Sequence, residues 1–125
     1  TLGEEHLDFA STLSNIASVY NDQGRYEEAL EAYRRALEVK RKALGEEHPE
    51  FAISLYNIAG VYRRQERNEE ALEAYGRVLA VRRKALGEEH PSFATTLNNM
   101  AGVYDDQGRH EEALEMYRRV LAVRR

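Results

Sequence analysis

Glu-Glu-His stands at residues 4–6, 46–48 and 88–90, and of all the combinations in this 125-residue chain it looks most like a site for metal or proton chemistry. A carboxylate and an imidazole can hold zinc or pass a proton when their side chains converge. The spacing here works against that. Glu47 and His48 are neighbours rather than one helical turn apart, and successive triplets lie 42 residues from one another. His48 precedes Pro49 and His90 precedes Pro91, which suits a cap residue followed by a first-turn proline. His110 is expected to be exposed early in a helix. The sequence has no glycine-rich phosphate loop, nucleophile elbow or H-E-x-x-H. No catalysis, metal or cofactor is expected.

The remaining polar groups suit recognition. Asn15, Asn57 and Asn99 recur at the same interval, and an amide offers both donor and acceptor to a passing backbone. They suit inter-repeat hydrogen bonding equally. Arg63 and Arg64 carry planar guanidinium forks that fit carboxylates, whether of a ligand or of Asp22, Asp105 and Asp106 in this chain. Ile53 and Tyr56, one turn apart, either wall a pocket for an apolar anchor or pack between helices. Asn21 and Asn98 complete the set.

The elements that must position these residues follow from a repeat. Leu-Gly-Glu-Glu-His begins at Leu2, Leu44 and Leu86, which divides the chain into units 2–43, 44–85 and 86–125. A fixed period of this length marks a solenoid. Within the first unit Leu13, Ile16, Ala17 and Tyr20 form one helical stripe, and Tyr26, Ala29, Leu30, Tyr33, Ala36 and Leu37 form a second. Gly24 and Gly108 suit the left-handed residue that ends a helix, where the middle unit places Glu66. Glu27 and Glu28 open the second helix, and Lys40, Arg41 and Lys42 close it, in keeping with the helix dipole. Glu31 with Arg35, Glu73 with Arg77 and Glu115 with Arg119 are expected as i,i+4 pairs. The expected fold is all-α: three helix-turn-helix units and six antiparallel helices in one array.

These positions resemble the tetratricopeptide repeat, whose signature runs W-x2-L-G-x2-Y and then A-x3-F. Leu13, Leu55 and Leu97 occupy the Trp slot, Ala17, Ala59 and Ala101 the Gly slot, and Tyr33, Tyr75 and Tyr117 the Phe slot. The 42-residue period, the long second helix, the Leu-Gly-x-x-His-Pro linker and the stretch Thr96 to Ala101 resemble the kinesin-light-chain subclass. The resemblance implies an alpha-alpha superhelix that binds a protein or peptide in a concave groove lined by the first helices. It also implies that asparagines in the slot of Asn15, Asn57 and Asn99 hold the ligand's main chain. A cargo-binding part of a kinesin light chain is one alternative under the same resemblance.

Composition narrows the partners. The formal net charge of -4 provides no basic field, so nucleic acid is not expected, and no apolar run is long enough for a membrane span. Cysteine is absent, which suits a reducing, cytoplasmic setting. A solenoid needs polar caps, yet the last unit ends on Tyr117, Val120 and Leu121 and the first begins on an apolar edge. Head-to-tail self-association of a structural fragment is therefore the second expectation.

Overall fold

The computed structural model describes residues 2–123, with side chains for 6–122. Six helices follow in order: α1 Leu2–Asp22, α2 Tyr26–Leu44, α3 Pro49–Arg64, α4 Asn68–Leu86, α5 Pro91–Asp106 and α6 His110–Val123. The helices pair as hairpins α1 with α2, α3 with α4 and α5 with α6, and adjacent hairpins join through α2 with α3 and α4 with α5. Each hairpin packs chiefly on its neighbours, the one-dimensional logic of a solenoid. Among the described residues no helix is long and apolar enough to cross a membrane.

The three hairpin turns are built alike. Arg25 N–H donates to the Tyr20 carbonyl at 2.8 Å and Gly24 N–H to that of Asn21 at 3.0 Å. This six-to-one and five-to-two pairing satisfies carbonyls that a helix end leaves unpaired. Arg67 with Tyr62 and Arg109 with Tyr104 repeat it, at 2.9 and 2.8 Å. The residue at the bend is left-handed in every turn: φ is 76° at Gly24, 74° at Gly108 and 60° at Glu66. The arginine then stacks on the tyrosine, with Arg25, Arg67 and Arg109 lying 4.5, 4.6 and 4.6 Å from the ring centres of Tyr20, Tyr62 and Tyr104. Each also pairs with the glutamate three residues on, Glu28, Glu70 or Glu112.

Between hairpins the chain reverses at Gly45 and Gly87, and the histidine before each proline caps the next helix. His48 Nδ1 accepts the Glu50 N–H at 3.0 Å, and His90 Nδ1 accepts that of Ser92 at 3.1 Å. The equivalent Leu2–His6 string is helical instead, the start of α1. In the later copies the same residues must turn the chain between two packed helices.

Ala17, Ala59 and Ala101 are wholly buried, so the Gly slot keeps its packing role with a methyl added. The core is a string of small clusters. Leu30 and Tyr33 of α2 meet Ile58 and Val61 of α3, and Tyr75 of α4 meets Val103 of α5. Polar links repeat with the same stagger. Gln65 donates to Glu27 at 3.1 Å and Gln107 to Glu69 at 2.8 Å, with Arg67 and Arg109 reaching the same carboxylates at 3.5 and 3.6 Å.

Two expectations require correction. Ile16 falls on the same apolar stripe as buried Leu13 and Ala17, but it is exposed, because among the described residues no helix lies against it as α2 lies against Ile58. The expected i,i+4 pairs also give way to other contacts. Arg35 lies over the Phe9 ring, Arg77 reaches Glu46 at 3.8 Å, and Arg119 turns to the Met116 sulfur. An exposed i,i+4 pair contributes only a few tenths of a kcal/mol, so a competing contact readily displaces it.

Candidate functional site

The first helices α1, α3 and α5 lie side by side along one surface, tied by contacts that step from one to the next. Arg64 of α3 donates to the Asn21 carbonyl of α1 at 3.1 Å, and its guanidinium sits 5.5 Å from the Tyr26 ring centre. Arg63 of α3 reaches Asp106 of α5 at 3.0 Å. Asn99 of α5 donates to the Tyr56 hydroxyl of α3 at 2.7 Å and to the Thr95 carbonyl at 3.0 Å. Of the residues singled out above, Asn21, Tyr56, Arg63, Arg64, Asn99 and Asp106 thus bind each other between neighbouring first helices.

That sorting matters for what the face can do. Arg63 is committed to Asp106, so of the arginine pair Arg64 is the more exposed. Arg63 also crosses Gly102: a methyl built there would come within 2.5 Å of its guanidinium. The glycine inside α5 therefore makes room for a neighbouring side chain. Gly60 has a looser neighbour, the Tyr75 hydroxyl at 4.0 Å. Asn99 has its N–H donor in use, while its carbonyl remains as an acceptor. Asn15 is exposed, and Asn57 and Asn98 are partly so. Asp105 faces His110 at 3.1 Å, and Asp22 is open to solvent.

Ile53 and Tyr56 separate in role. Ile53 is exposed, whereas Tyr56 packs edge-on against Tyr75 at 5.8 Å and belongs to the core between hairpins. Beneath it lies a residue that the pattern of charges did not reveal. Arg82, near the end of α4, is half-buried 4.9 Å from the Tyr56 ring centre. It donates to the Thr96 hydroxyl at 2.9 Å and the Ser92 carbonyl at 3.2 Å. Burial pushes its pKa down, and proximity to Tyr56 partly offsets this. Its counterpart one period earlier, Lys40, is buried, with its pKa lowered chiefly by that burial and raised in part by Glu50. The signal available in the sequence was the 42-residue comparison itself: Lys40 and Arg82 share a slot, as do Ser54 and Thr96.

A cleft of about 280 Å³ lies between α2 and α4, floored by Leu55 and Ile58 and rimmed by Arg34, Glu70 and Glu73. It draws on the second helices and on the packing side of α3, and none of the residues discussed on the first-helix face lines it. Among the described residues no group of three or more His, Asp or Glu side chains gathers as a metal site.

The tetratricopeptide-repeat family model matches residues 8–76 and again 50–125. The chain belongs to that family. Its fold is therefore the all-α tetratricopeptide solenoid of three helix-turn-helix repeats, a generally non-catalytic architecture used as a protein–protein interaction scaffold. No curated protein sequence matches the chain. Among solved structures it resembles BtubC (BKLC) from P. vanneervenii, with a TM-score of 0.84 and 27% identity over 92% of this chain and 45% of that one. A kinesin light chain candidate of Podosopora anserina with nearly identical TPR-like repeats gives 0.78 and 29%, over 92% and 55%. The chain thus spans about half the length of either. The N-terminal domain of stress-induced protein-1 from C. elegans shares the fold, with a TM-score of 0.75 at 18% identity over 94% and 86%.

Proposed function

We propose that this tetratricopeptide array is a recruitment module that holds an extended segment of another protein along the face of α1, α3 and α5. The observation that carries the reading is the row of amides across three adjacent helices, Asn15, Asn57 and Asn99, flanked by Asn98. An extended peptide presents an unpaired donor and acceptor at each residue, and a row of amides can pair with both. Asn15 and Asn57 have no internal partner among the hydrogen bonds described above. Asn99 keeps its carbonyl free after serving Tyr56. Asn21 and Asp22 at one edge, with Asp105 and Asp106 at the other, form the polar rim.

The same face sets the ligand's character. Arg64 takes a carboxylate near the centre, and exposed Ile53 offers apolar area beside it. Arg63 contributes less, since Asp106 already neutralises it. The acidic rim disfavours a strongly acidic peptide, so the expected ligand is an extended segment with one acidic residue near an apolar one.

An array of immobilised peptides about 15 residues long tests this, since that length spans three repeats. The best-retained peptide should lose roughly tenfold in affinity with Asn15→Ala and Asn57→Ala combined, and again with Arg64→Ala. Glu73→Ala, on the rim of the opposite cleft, should leave its affinity unchanged. Equal retention by all variants would move the site off this face.

A further inference from the structure

A second cleft, of about 210 Å³, lies between α4 and α6 on the side of the second helices. Leu79 and Ala80 of α4 and Phe93 of α5 form its apolar wall, and Arg83 and Arg119 stand at its rim. Val120, expected on an open apolar edge, is instead buried and backs this wall through Phe93. The cleft repeats the one between α2 and α4 a period later, with a different rim. Ala80 stands where α2 has Glu38, the carboxylate that holds Arg41 at 3.0 and 2.6 Å. Arg83, the counterpart of Arg41, is thereby left without that partner. Arg119 turns to the Met116 sulfur at 3.9 Å rather than to Glu115. Glu70 and Glu73 line the earlier cleft, whereas among the described residues no carboxylate lines this one.

Gly76 opens the cleft further. It stands where α2 has Arg34, which lines the earlier cleft and donates to the Tyr62 hydroxyl. A glycine inside a helix is destabilising relative to alanine. Gly102 makes room for Arg63, and Gly60 faces the Tyr75 hydroxyl at 4.0 Å, but a methyl built at Gly76 meets nothing within 4 Å. Packing inside the chain therefore gives no reason for this glycine, whereas close approach of an outside backbone does.

We propose that this cleft is a second docking site, which seats an acidic amphipathic helix of a partner protein. An apolar side chain of that helix fills the space beside Leu79 and Phe93, and carboxylates flanking it pair with Arg83 and Arg119. Gly76 and Ala80, one turn apart on α4, let the two helices approach closely. The rim selects the sign of the occupant, since a basic helix meets two guanidiniums with no carboxylate between them. The cleft shares no residue with the groups proposed to hold a peptide on α1, α3 and α5, so the array holds two partners independently.

Fluorescence anisotropy with two labelled helical peptides of about 16 residues, roughly four turns, tests the proposal. Both carry leucines along one stripe, flanked by glutamates in one peptide and by lysines in the other. The glutamate peptide should bind roughly tenfold more tightly than the lysine peptide. Gly76→Leu fills the cleft where no neighbour stands in the way, so it should keep the helical circular dichroism and weaken the glutamate peptide roughly tenfold. Arg83→Glu with Arg119→Glu, both at exposed side chains, should reverse the preference in favour of the lysine peptide. Asn15→Ala, Asn57→Ala and Arg64→Ala should leave this binding unchanged, which separates it from the first-helix face. Equal binding of the two peptides, no binding at about 1 mM, or parental affinity in Gly76→Leu would overturn the proposal. So would amide shifts at Leu79, Ala80 and Arg83 that grow with protein concentration alone, since a second copy would then be the occupant.

Discussion

At the scale of single residues, the slot shared by Lys40 and Arg82 shows how one substitution between copies leaves a need unmet. Arg82 serves the Thr96 hydroxyl and the Ser92 carbonyl. In the earlier copy the matching hydroxyl belongs to Ser54, which is buried without a hydrogen-bond partner. Lys40→Arg should therefore stabilise the chain by about 1 kcal/mol in urea unfolding, one hydrogen bond gained. Its pH dependence carries a definite sign. A base whose pKa falls on folding costs stability while charged, so the parent should gain stability as pH rises through that lowered value toward 10.5. Lys40→Arg should lack this gain. Tyr75 acts in the opposite direction. Burial raises its hydroxyl pKa from 10.0 to about 12, so stability present below pH 10 is lost as pH climbs through about 12. Tyr75→Phe should blunt that alkaline loss, followed by circular dichroism between pH 9 and 12.

At the scale of elements, most helix ends were legible because they depend on local chemistry. Gly24, Gly45, Gly87 and Gly108 stand where the backbone is left-handed, and His48 with Pro49 marks a helix start without reference to anything distant. Glu66 is the exception within that pattern, a side chain held at φ 60° where the other two turns have glycine. Glu66→Gly should raise stability by about 1 kcal/mol, seen as a higher thermal midpoint, because the left-handed penalty is removed. Contacts between elements were less legible. Arg63 with Asp106 and Asn99 with Tyr56 each join residues 43 apart, one more than the period, and that offset comes from the stagger between hairpins. Periodicity marks Ile16 as apolar-facing but says nothing of whether another helix lies against it. Arg35, Arg77 and Arg119 likewise had local partners in sequence and nearer alternatives in space.

At the scale of the whole molecule, the face of α1, α3 and α5 is the surface proposed to read a different protein. Ser14 and Ser18 on α1 stand where α3 has Tyr56 and Gly60, and Asp105 and Asp106 stand where α3 has Arg63 and Arg64. Ala17, Ala59 and Ala101 meanwhile remain identical in all three hairpins, although buried Ala36 becomes Val78 and Val120. Variation thus includes the face proposed for a ligand. The account rests on that face, and amide chemical-shift mapping with an array-selected peptide tests it most directly. The account predicts perturbations clustered on Asn15, Ile53, Asn57, Arg64 and Asn98, with the α2–α4 cleft and the exposed ends unmoved. Shifts confined to Arg34, Glu70 and Glu73, or to Phe9 and Leu121, would contradict it.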